Sequence, residues 1–197
     1  MTLAQAIYTI GHSTRPIEAF IEMLRAAGVT RLIDVRAVPR SRFNPQYNRD
    51  ALEKSLNEAG IDYRSLPSLG GLRQARADSP NVGLKEGFRG FADYALTAEF
   101  RAALGVLTTL AGEQPSAFMC AEADWRQCHR QLIADRLVSE GRDVRHIVKD
   151  GIEAATLNPL AERRTNGLVY AKAPVKAKTR PEKKKRDDPK SPRFPGF

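Results

Sequence analysis

Short apolar runs alternate with helical patterns along most of this chain, and that alternation restricts the fold more than any other feature. The apolar runs have the length of buried strands and lie at residues 7–10, 32–36, 61–64, 117–120 and 144–148. Strands and helices that alternate in this way are typical of a mostly parallel sheet with helices on its faces. We therefore predict an α/β fold, a single three-layer domain whose mostly parallel sheet has five strands or more.

The segments between the runs carry helix signals of different strength. Apolar residues recur at helical spacing before Gly28, Gly60 and Gly141, and glycine commonly ends a helix. The pattern predicts one helix over residues 91–110 and another over residues 126–140. The long segment that follows the third run is instead rich in Gly, Pro, Arg and Ser, and a loop of that length is usually functional or disordered.

The charge of the chain is concentrated at its C-terminal end. The formal net charge is +9, and residues 168–197 carry ten Lys or Arg and three Asp or Glu, a net of +7 that leaves +2 for residues 1–167. Beyond Lys172 there are almost no aliphatic residues. We predict a folded domain over residues 1–167 and a basic, disordered tail over residues 168–197. Contact with nucleic-acid phosphates and simple solubilisation are both consistent with such a tail.

The sequence contains neither a membrane-spanning stretch nor a signal-peptide pattern. No run approaches the ~20 apolar residues that a bilayer span requires, and the first residues lack a basic segment followed by a long apolar one. Two cysteines are too few for a disulfide framework. We expect a cytoplasmic protein with free thiols and no membrane partner. Its oligomeric state stays open.

The reactive residue types of this chain gather in residues 119–130. Both cysteines, the single tryptophan and one of the three histidines lie there. The fourth apolar run leads into this segment, and a helical pattern leads out of it. Open α/β folds place their ligands at such junctions, outside the carboxyl ends of the strands. The segment is therefore the first candidate for a functional site.

Chemically active residues follow three further strands. They are Gly11, His12 and Ser13 after the first strand, Asp34, Arg36 and Ser41 at and after the second, and Gly70, Gly71 and Arg73 after the third. Because the carboxyl ends of parallel strands share one edge of the sheet, we expect these residues to meet residues 119–130 there.

The order of these motifs resembles one bacterial and archaeal family. The motifs are Thr9-Ile10-Gly11-His12-Ser13, Asp34-Val35-Arg36 followed by Pro39 and Ser41, Leu69-Gly70-Gly71, Cys120-x-Glu122, Cys128-His129-Arg130 and His146-Ile147. Together they resemble the domain of unknown function family 488 (DUF488) over roughly residues 7–148. The resemblance implies a single α/β domain and marks the residues that matter. It implies no particular reaction.

We predict Cys120, Glu122 and His12 as catalytic residues. A helix N-terminus and nearby arginines lower the pKa of a thiol and favour the nucleophilic thiolate, which suits Cys120. Imidazole titrates near neutral pH, so His12 suits acid–base catalysis, and Gly11 beside it leaves room for a ligand. The alternatives are a buried Cys120 that acts as a small apolar residue and a His12 that bonds to the local backbone. His146, inside a strand, is expected to be structural.

Arginines that follow strand ends favour an anionic substrate. A guanidinium group binds phosphate, sulfate or carboxylate, and a Gly-Gly turn can present backbone N–H groups to an anion. The alternative for Arg36 is an ion pair with Asp34 that only fixes the loop. Cys128 and His129 would point about 100° apart on a helix, so they need not act on one atom. The predicted binding residues are Gly11, Ser13, Asp34, Arg36, Ser41, Gly70, Gly71, Arg73, Cys128, His129 and Arg130.

Three functions remain open at this level. The first is a Cys-dependent transferase or hydrolase acting on an anionic substrate that bears phosphate, sulfur or carboxylate. The second is a nucleic-acid-associated protein, in repair or processing, that uses the arginine-rich loops and the tail. The third is a sensor of a metal or an anion. The seven residues between the cysteines do not match the usual spacing of structural zinc ligands, so we predict no metal and leave the cofactor open.

Overall fold

The computed structural model describes residues 5–171 and contains a six-stranded, mostly parallel sheet at its centre. Its strands are β1 (Ile7–Gly11), β2 (Arg31–Asp34), β3 (Asp62–Ser65), β4 (Ser116–Cys120), β5 (Val144–Val148) and β6 (Gly151–Ala154). Their order across the sheet is β3-β2-β4-β1-β5-β6, and β6, at one edge, runs antiparallel to β5. The predicted α/β fold with a mostly parallel sheet is confirmed.

Five α-helices of the described residues cover the two faces of the sheet. They are α1 (Ile17–Ala26), α2 (Arg49–Glu58), α3 (Glu86–Tyr94), α4 (Ala98–Glu113) and α5 (Arg130–Ser139). On one face, Phe20 of α1 shares an apolar cluster with Leu32 of β2. On the other face, Phe91 of α3 and Leu132 of α5 share a cluster with Ile33 of β2. The domain therefore has three layers, and none of these five helices is long and apolar enough to cross a membrane.

Neighbouring residues of each inner strand face opposite layers, which explains why the middle residues of β2 and β4 are apolar on both faces. In β2, Leu32 belongs to the cluster under α1 and α2, whereas Ile33 belongs to the cluster under α3 to α5. Met119 and Phe118 divide in the same way in β4. Side chains alternate along a strand, so a central strand covered on both faces favours apolar residues at successive positions, and in β2 the polar residues Arg31 and Asp34 stand at its two ends.

The helix predicted over residues 91–110 is in fact two helices. The chain leaves α3 after Tyr94 and starts α4 at Ala98. Thr97 caps the N-terminus of α4, because its hydroxyl oxygen accepts a hydrogen bond from the backbone N–H of Phe100 at 3.2 Å. A side chain that caps a helix N-terminus in this way satisfies a backbone donor that otherwise has no partner.

The helix predicted to start at residue 126 starts instead at Arg130. Before it, the carboxylate of Asp124 caps a separate short 3-10 turn, Trp125–Gln127, by accepting from the backbone N–H of Arg126. Cys128 then takes an extended conformation, with φ −130° and ψ 145°. Cys128 therefore lies ahead of α5 and not within its first turn.

The arginine-rich segment 66–89, predicted as a functional or disordered loop, is tied to α3 by one carboxylate. Asp93 accepts hydrogen bonds from the backbone N–H of Arg76 at 2.9 Å, the hydroxyl of Ser79 at 2.6 Å and the side-chain amide of Asn81 at 2.8 Å. These bonds hold the second half of the loop against the helical layer. Its first half is thereby positioned at the carboxyl edge of the sheet.

The folded domain extends past the boundary predicted after residue 167. Two further strands, β7 (Glu162–Arg164) and β8 (Gly167–Val169), form a hairpin across that boundary. The next residue, Tyr170, is buried and donates from its hydroxyl to Asp135 of α5 at 2.8 Å. Residues 168–170 therefore belong to the domain and not to the tail. The rest of the predicted basic tail, residues 172–197, lies outside the described residues.

Candidate active site

A crevice opens at the carboxyl edge of the sheet, where the neighbouring strands β2 and β4 lead to opposite layers. The chain passes from β2 to α2 on one face and from β4 to α5 on the other. A cavity of about 350 Å³ lies there, and its lining comes from residues 36–38, 71–72, 87–88, 120–122 and 127–129. Open α/β sheets bind ligands at such a point, and this volume suits a small molecule.

Two sulfurs, an imidazole and a carboxylate converge on this main cavity. The Sγ atom of Cys120 lies 2.8 Å from Oε2 of Glu122 and 3.6 Å from Nδ1 of His129. The Sγ atom of Cys128 lies 3.7 Å from the same Nδ1. The two sulfurs and this nitrogen all lie within 4.8 Å of one another. The structure thus brings together four of the residues that the sequence indicated.

The surroundings of Cys128 favour its thiolate. The backbone N–H of Arg130, at the start of α5, donates to Sγ of Cys128 at 3.5 Å. Burial acts in the opposite direction, but the neighbouring side chains of Cys120 and His129 and the charge of Arg130 lower the pKa of Cys128 below its ordinary value. Within residues 5–171 the buried Arg130 guanidinium forms no ion pair with a carboxylate. A buried cation needs a nearby anion, and the Cys128 thiolate supplies it.

Cys120 has the opposite environment. The neighbouring Cys128 sulfur, burial and the negative charge of Glu122 all raise the pKa of Cys120. The Cys120 thiol donates a hydrogen bond to Glu122. Burial raises the pKa of the Glu122 carboxyl, but this hydrogen bond helps to bring that pKa below its ordinary value. We expected the thiolate at Cys120, but the structure assigns the lower pKa to Cys128. The physical reason is that Arg130 acts on Cys128, whereas Cys120 faces a carboxylate.

The imidazole of His129 turns toward both sulfurs, and this corrects the expectation that Cys128 and His129 point apart. Cys128 is extended and His129 only begins the helix, so the two side chains reach the same place. Gly71 packs directly on the ring, because a Cβ atom at position 71 would lie 2.5 Å from Nδ1 of His129. Phe91 lies on another side, with ring centroids 5.0 Å apart. Gly71 therefore packs against His129 and also lines the main cavity, and its role in holding an anion stays a prediction.

Gly11 and Arg130 hold β1 against the loop that follows β4. A Cβ atom at position 11 would overlap the carbonyl of Glu122, so only glycine allows this approach. Arg130 donates from Nη2 to that same carbonyl at 2.7 Å and from Nη1 to the hydroxyl of Thr9 at 3.1 Å. Thr9 in turn bonds to Nδ1 of His146 at 2.8 Å. Gly11 and Arg130 thus support the cavity from beneath and do not line it.

One family match covers most of this site. The model described as domain of unknown function DUF488 matches residues 16–137, which is more than half of the chain. The chain belongs to the DUF488 family. The DUF488 match includes β2, β3 and β4 and the residues of the cavity, and it leaves out β1 and β5. No curated protein and no solved structure gives a significant match.

His12 precedes the DUF488 match and lines a second pocket of about 380 Å³, which adjoins the main cavity through Arg36 and Glu122. Its ring stacks on Tyr47 at 4.1 Å, donates from Nδ1 to the carbonyl of Ser13 at 2.7 Å and accepts at Nε2 from Arg36 at 3.2 Å. Burial, together with the charge of Arg36, lowers the pKa of His12 to about 4. The neutral ring holds Arg36 in place and lines the second pocket, whereas the two cysteines line the main cavity.

Asp34 and Arg36 form the ion pair that was the structural alternative for them. Arg36 donates from Nε and Nη2 to the two carboxylate oxygens at 2.9 and 2.6 Å, and also from Nη2 to the carbonyl of Tyr47 at 2.8 Å. The hydroxyl of Tyr63 donates to Asp34 at 2.9 Å. Asp34 is therefore enclosed by structural bonds. Nη1 of Arg36 makes one hydrogen bond among the described residues, to His12, so its second N–H remains available. Arg36 lines both pockets, and this N–H can therefore serve a ligand there.

The remaining predicted binding residues, Ser13, Ser41, Gly70 and Arg73, do not line the main cavity. Ser13 and Ser41 line the second pocket. Gly70 packs on the loop after β2, which leaves no room there for a side chain. Arg73 lies over the ring of Tyr94, 3.8 Å from its centroid, and lines neither pocket. Arg73 is therefore not brought to the site.

The apolar lining of the main cavity has little signal in the sequence. Val38, Leu72 and Phe88 line it, and Val38 and Leu72 remain 62% and 80% exposed. Exposed apolar side chains beside a cavity are typical of a binding surface. Leu72 and Phe88 each stand between a glycine and an arginine, whereas Val38 stands between Ala37 and Pro39. An apolar residue within a predicted loop is the signal that was available.

Proposed function

We propose that this chain is a Cys-dependent enzyme, a transferase or hydrolase, that acts on a small anionic molecule in the main cavity. The observation that carries the proposal is the meeting of Cys120, Glu122, Cys128 and His129 at one cavity of about 350 Å³. A stabilised thiolate beside a carboxylate and an imidazole supplies a nucleophile and two groups that exchange protons. Core packing alone would not require two thiols, a carboxylate and an imidazole at one cavity.

In this proposal, Cys128 is the reactive sulfur and Glu122 transfers protons. The thiolate is the nucleophilic form of cysteine, and the charge of Arg130 stabilises it at Cys128. Glu122 lines both pockets and accepts the thiol hydrogen of Cys120. Cys120 is then a positioning residue that fixes this carboxylate. Two free thiols this close persist in a reducing compartment, so we place the protein in the cytoplasm.

The second pocket supports the anionic character of the substrate. Arg36 lines both pockets and has a spare N–H on Nη1, and Arg40, Ser13 and Ser41 add donors to the second pocket. Guanidinium and hydroxyl groups bind phosphate, sulfate and carboxylate oxygens. We propose that the anionic group of the substrate lies near Arg36 and that its reacting part extends toward Cys128.

The nucleic-acid hypothesis gains less from the described loops. Arg73 lies over an aromatic ring, Arg76 pairs with Asp78 at 2.7 Å, and Arg89 donates to the carbonyl of Leu84 at 2.9 Å. These arginines are engaged in local contacts, whereas electrostatic binding of a nucleic-acid backbone needs cations that reach several phosphates. We therefore propose an enzyme that acts on a small molecule and not a nucleic-acid-binding protein.

Alkylation of the metal-free protein with iodoacetamide at pH 6 tests the proposal. The label is located by peptide mass spectrometry. We expect Cys128 to react faster than Cys120 and faster than free cysteine, because ordinary thiols are protonated at this pH and only thiolates react. Because phosphate or sulfate would occupy the anion subsite near Arg36, either ion is expected to slow the labelling.

Turnover of p-nitrophenyl phosphate and p-nitrophenyl sulfate then separates a catalytic thiolate from a merely stable one. We expect Cys128→Ser and Glu122→Gln each to lower turnover about 100-fold or more. Glu58→Gln, which changes an exposed carboxylate of α2, is expected to leave turnover unchanged. Equal labelling of the two cysteines, turnover that survives Cys128→Ser, or the absence of both turnover and anion protection would overturn the proposal.

A further inference from the structure

We propose that Cys120, Cys128 and His129 together bind one soft divalent metal ion, for which Zn²⁺ and Co²⁺ are the probes. The two Sγ atoms and Nδ1 lie within 4.8 Å of one another, and all three residues line the main cavity. The inference rests on the proposed function in one respect, since the same cavity and the same sulfur serve both. Its test therefore reads metal binding in the absence of any substrate.

The two distances between the candidate nitrogen ligand and the sulfurs match a tetrahedral site. With Zn–S bonds of about 2.3 Å and Zn–N bonds of about 2.0–2.1 Å, a sulfur and a nitrogen ligand lie about 3.6 Å apart. The distances from Nδ1 of His129 to the sulfurs of Cys120 and Cys128 are 3.6 and 3.7 Å. Both nitrogen–sulfur distances therefore suit one metal ion, and the two sulfurs lie within 4.8 Å of each other.

The sequence spacing that argued against a metal does not apply to this arrangement. The short spacings of structural zinc sites belong to two ligands on one tight turn. Here Cys120 ends β4, the chain makes the 3-10 turn Trp125–Gln127, and Cys128 returns to the same place. Structural zinc sites have four protein ligands, whereas catalytic sites keep one position open. Three ligands at the wall of a cavity correspond to the second kind of site.

The charges and neighbours of the three residues also suit a soft divalent ion. Two thiolates offset its charge, and thiolate with imidazole is the ligand set that zinc and similar metals prefer. The Arg130 backbone N–H already donates to the Cys128 sulfur, and Gly71 and Phe91 hold the His129 ring. Nε2 of that ring is buried and has no hydrogen-bond partner among the described residues. Nδ1 faces the two sulfurs, so Nδ1 is the nitrogen placed to bind the metal.

Glu122 lies beside the proposed ion as a proton acceptor. Its Oε2 is 2.8 Å from Sγ of Cys120, closer than two ligands of one tetrahedral metal approach each other, and the contact is a thiol hydrogen bond. Metal binding replaces the S–H bond of Cys120 with a metal–sulfur bond and releases that proton, which Glu122 is placed to accept. A carboxylate next to a Cys–His metal site, but not bound to the metal, serves this role in known zinc enzymes.

Titration of the chelator-treated, full-length protein with Co²⁺ tests the inference. Tetrahedral Co²⁺ with thiolate ligands gives visible bands and a sulfur-to-cobalt charge-transfer band. We expect one equivalent to bind with these bands and Zn²⁺ to displace it. Cys120→Ser and Cys128→Ser should each weaken binding by roughly 100-fold or more, since even the loss of an outer-shell partner costs about 10–100-fold. Zn²⁺ should also block the alkylation of Cys128.

Two glycine variants form a matched pair for the same titration. Gly71 and Gly87 both line the main cavity, but a Cβ atom at position 71 would press on His129, whereas one at position 87 has nothing within 4 Å. We expect Gly71→Ala to weaken Co²⁺ binding about 10–100-fold and Gly87→Ala to leave it unchanged. Circular dichroism shows whether each variant is folded, and the Zn²⁺ protection of wild-type Cys128 does not depend on either of them.

The outcomes separate the metal site from the proposed function. The metal site is refuted if the wild-type protein shows no charge-transfer band, if Cys128→Ser binds Co²⁺ as tightly as the wild type, or if both glycine variants weaken binding equally. If no metal binds and Cys128 of the metal-free protein still reacts rapidly, the metal site falls and the proposed function stands. If the metal binds and Cys128 reacts no faster than free cysteine, the metal site stands and the proposed thiolate chemistry falls.

Discussion

Replacing His146 with asparagine is expected to make the domain less sensitive to acid, because the folded chain holds His146 in its neutral form. Arg130 can only donate, so the Thr9 hydroxyl oxygen accepts from Arg130, and among the described residues Nδ1 of His146 is the acceptor available for the Thr9 hydroxyl hydrogen. The imidazole therefore accepts at Nδ1 and carries its hydrogen on Nε2. Protonation of Nδ1 would remove this acceptor in a buried place beside the charged Arg130.

The size of the effect follows from the pKa of His146. Burial and the charges of Arg130 and Arg126 outweigh the attraction of Glu153 and lower the pKa of His146 from 6.5 to about 4. Between these two values the unfolded chain binds a proton that the folded chain does not bind. The free energy of unfolding is therefore highest above pH 6.5 and falls as the pH drops toward 4. A difference of about 2.5 pH units corresponds to about 3 kcal/mol.

Urea unfolding of the wild type and His146→Asn, followed by circular dichroism at pH 7 and pH 4, measures this difference. The asparagine side chain keeps an acceptor near the position of Nδ1 but does not titrate. We expect the wild type to lose about 3 kcal/mol more than the variant between the two pH values. Asp135, whose pKa burial raises to about 6, shifts stability in the opposite direction in both proteins and cancels in the comparison.

A second readout comes from Trp125, the single tryptophan of the chain, which stacks on His146 with ring centroids 4.1 Å apart. A protonated imidazole quenches indole fluorescence, so the folded wild type should lose fluorescence with a midpoint near pH 4. The control is Arg145→Asn on the same strand, since Arg145 is exposed and stays charged throughout this range. A midpoint near 6.5, or an equal loss of stability in wild type and His146→Asn, would refute the reasoning.

Two further substitutions test the parts of the fold that differ from the predicted boundaries. Tyr170→Phe removes the hydrogen bond from the tyrosine hydroxyl to Asp135 and should lower the free energy of unfolding by about 1–3 kcal/mol; an unchanged urea midpoint would place Tyr170 outside the cooperative domain. Thr97→Ala removes the cap of α4 and should cost about 1 kcal/mol in the same assay, whereas no loss would mean that Phe100 finds another acceptor for its backbone N–H.

The strands and layers of this fold could be predicted because they depend on local composition. The middle residues of the inner strands β2 and β4 are apolar on both faces, and Gly28, Gly60 and Gly141, where helices were predicted to end, take the left-handed φ values that such glycines adopt. The order of the strands is not local. β4 lies between β2 and β1, and contacts distant in the chain, such as Arg31 with Asp62 and with Glu113 at 2.6 Å each, accompany that order.

The gathering of the site residues was predictable, but their roles were not. Parallel strands place Cys120 and Glu122 at one edge of the sheet whatever the details. The direction of the Cys128 side chain depends on where the helix starts. The helix was predicted to start at residue 126 but starts at Arg130, four residues later. Cys128 therefore lies before the helix, and its side chain points toward His129 instead of away from it. The cation that separates the two thiol pKa values, Arg130, is fixed by Thr9, 121 residues away. No local pattern in the sequence indicates the contact between Arg130 and Thr9, so it could not be predicted.

Arg130 connects the scaffold of the site to its chemistry. One guanidinium group bonds to β1 through Thr9 and to the loop after β4 through the Glu122 carbonyl, and its charge also favours the Cys128 thiolate. Without a metal, that thiolate offsets the charge of Arg130, while Glu122 holds Cys120 as a thiol. With a divalent ion, two thiolates offset the metal, and the Glu122 carboxylate balances Arg130 once it has passed the Cys120 proton on to the solvent. Because both states balance their charges with the same side chains, the site can exchange one for the other without rebuilding its core.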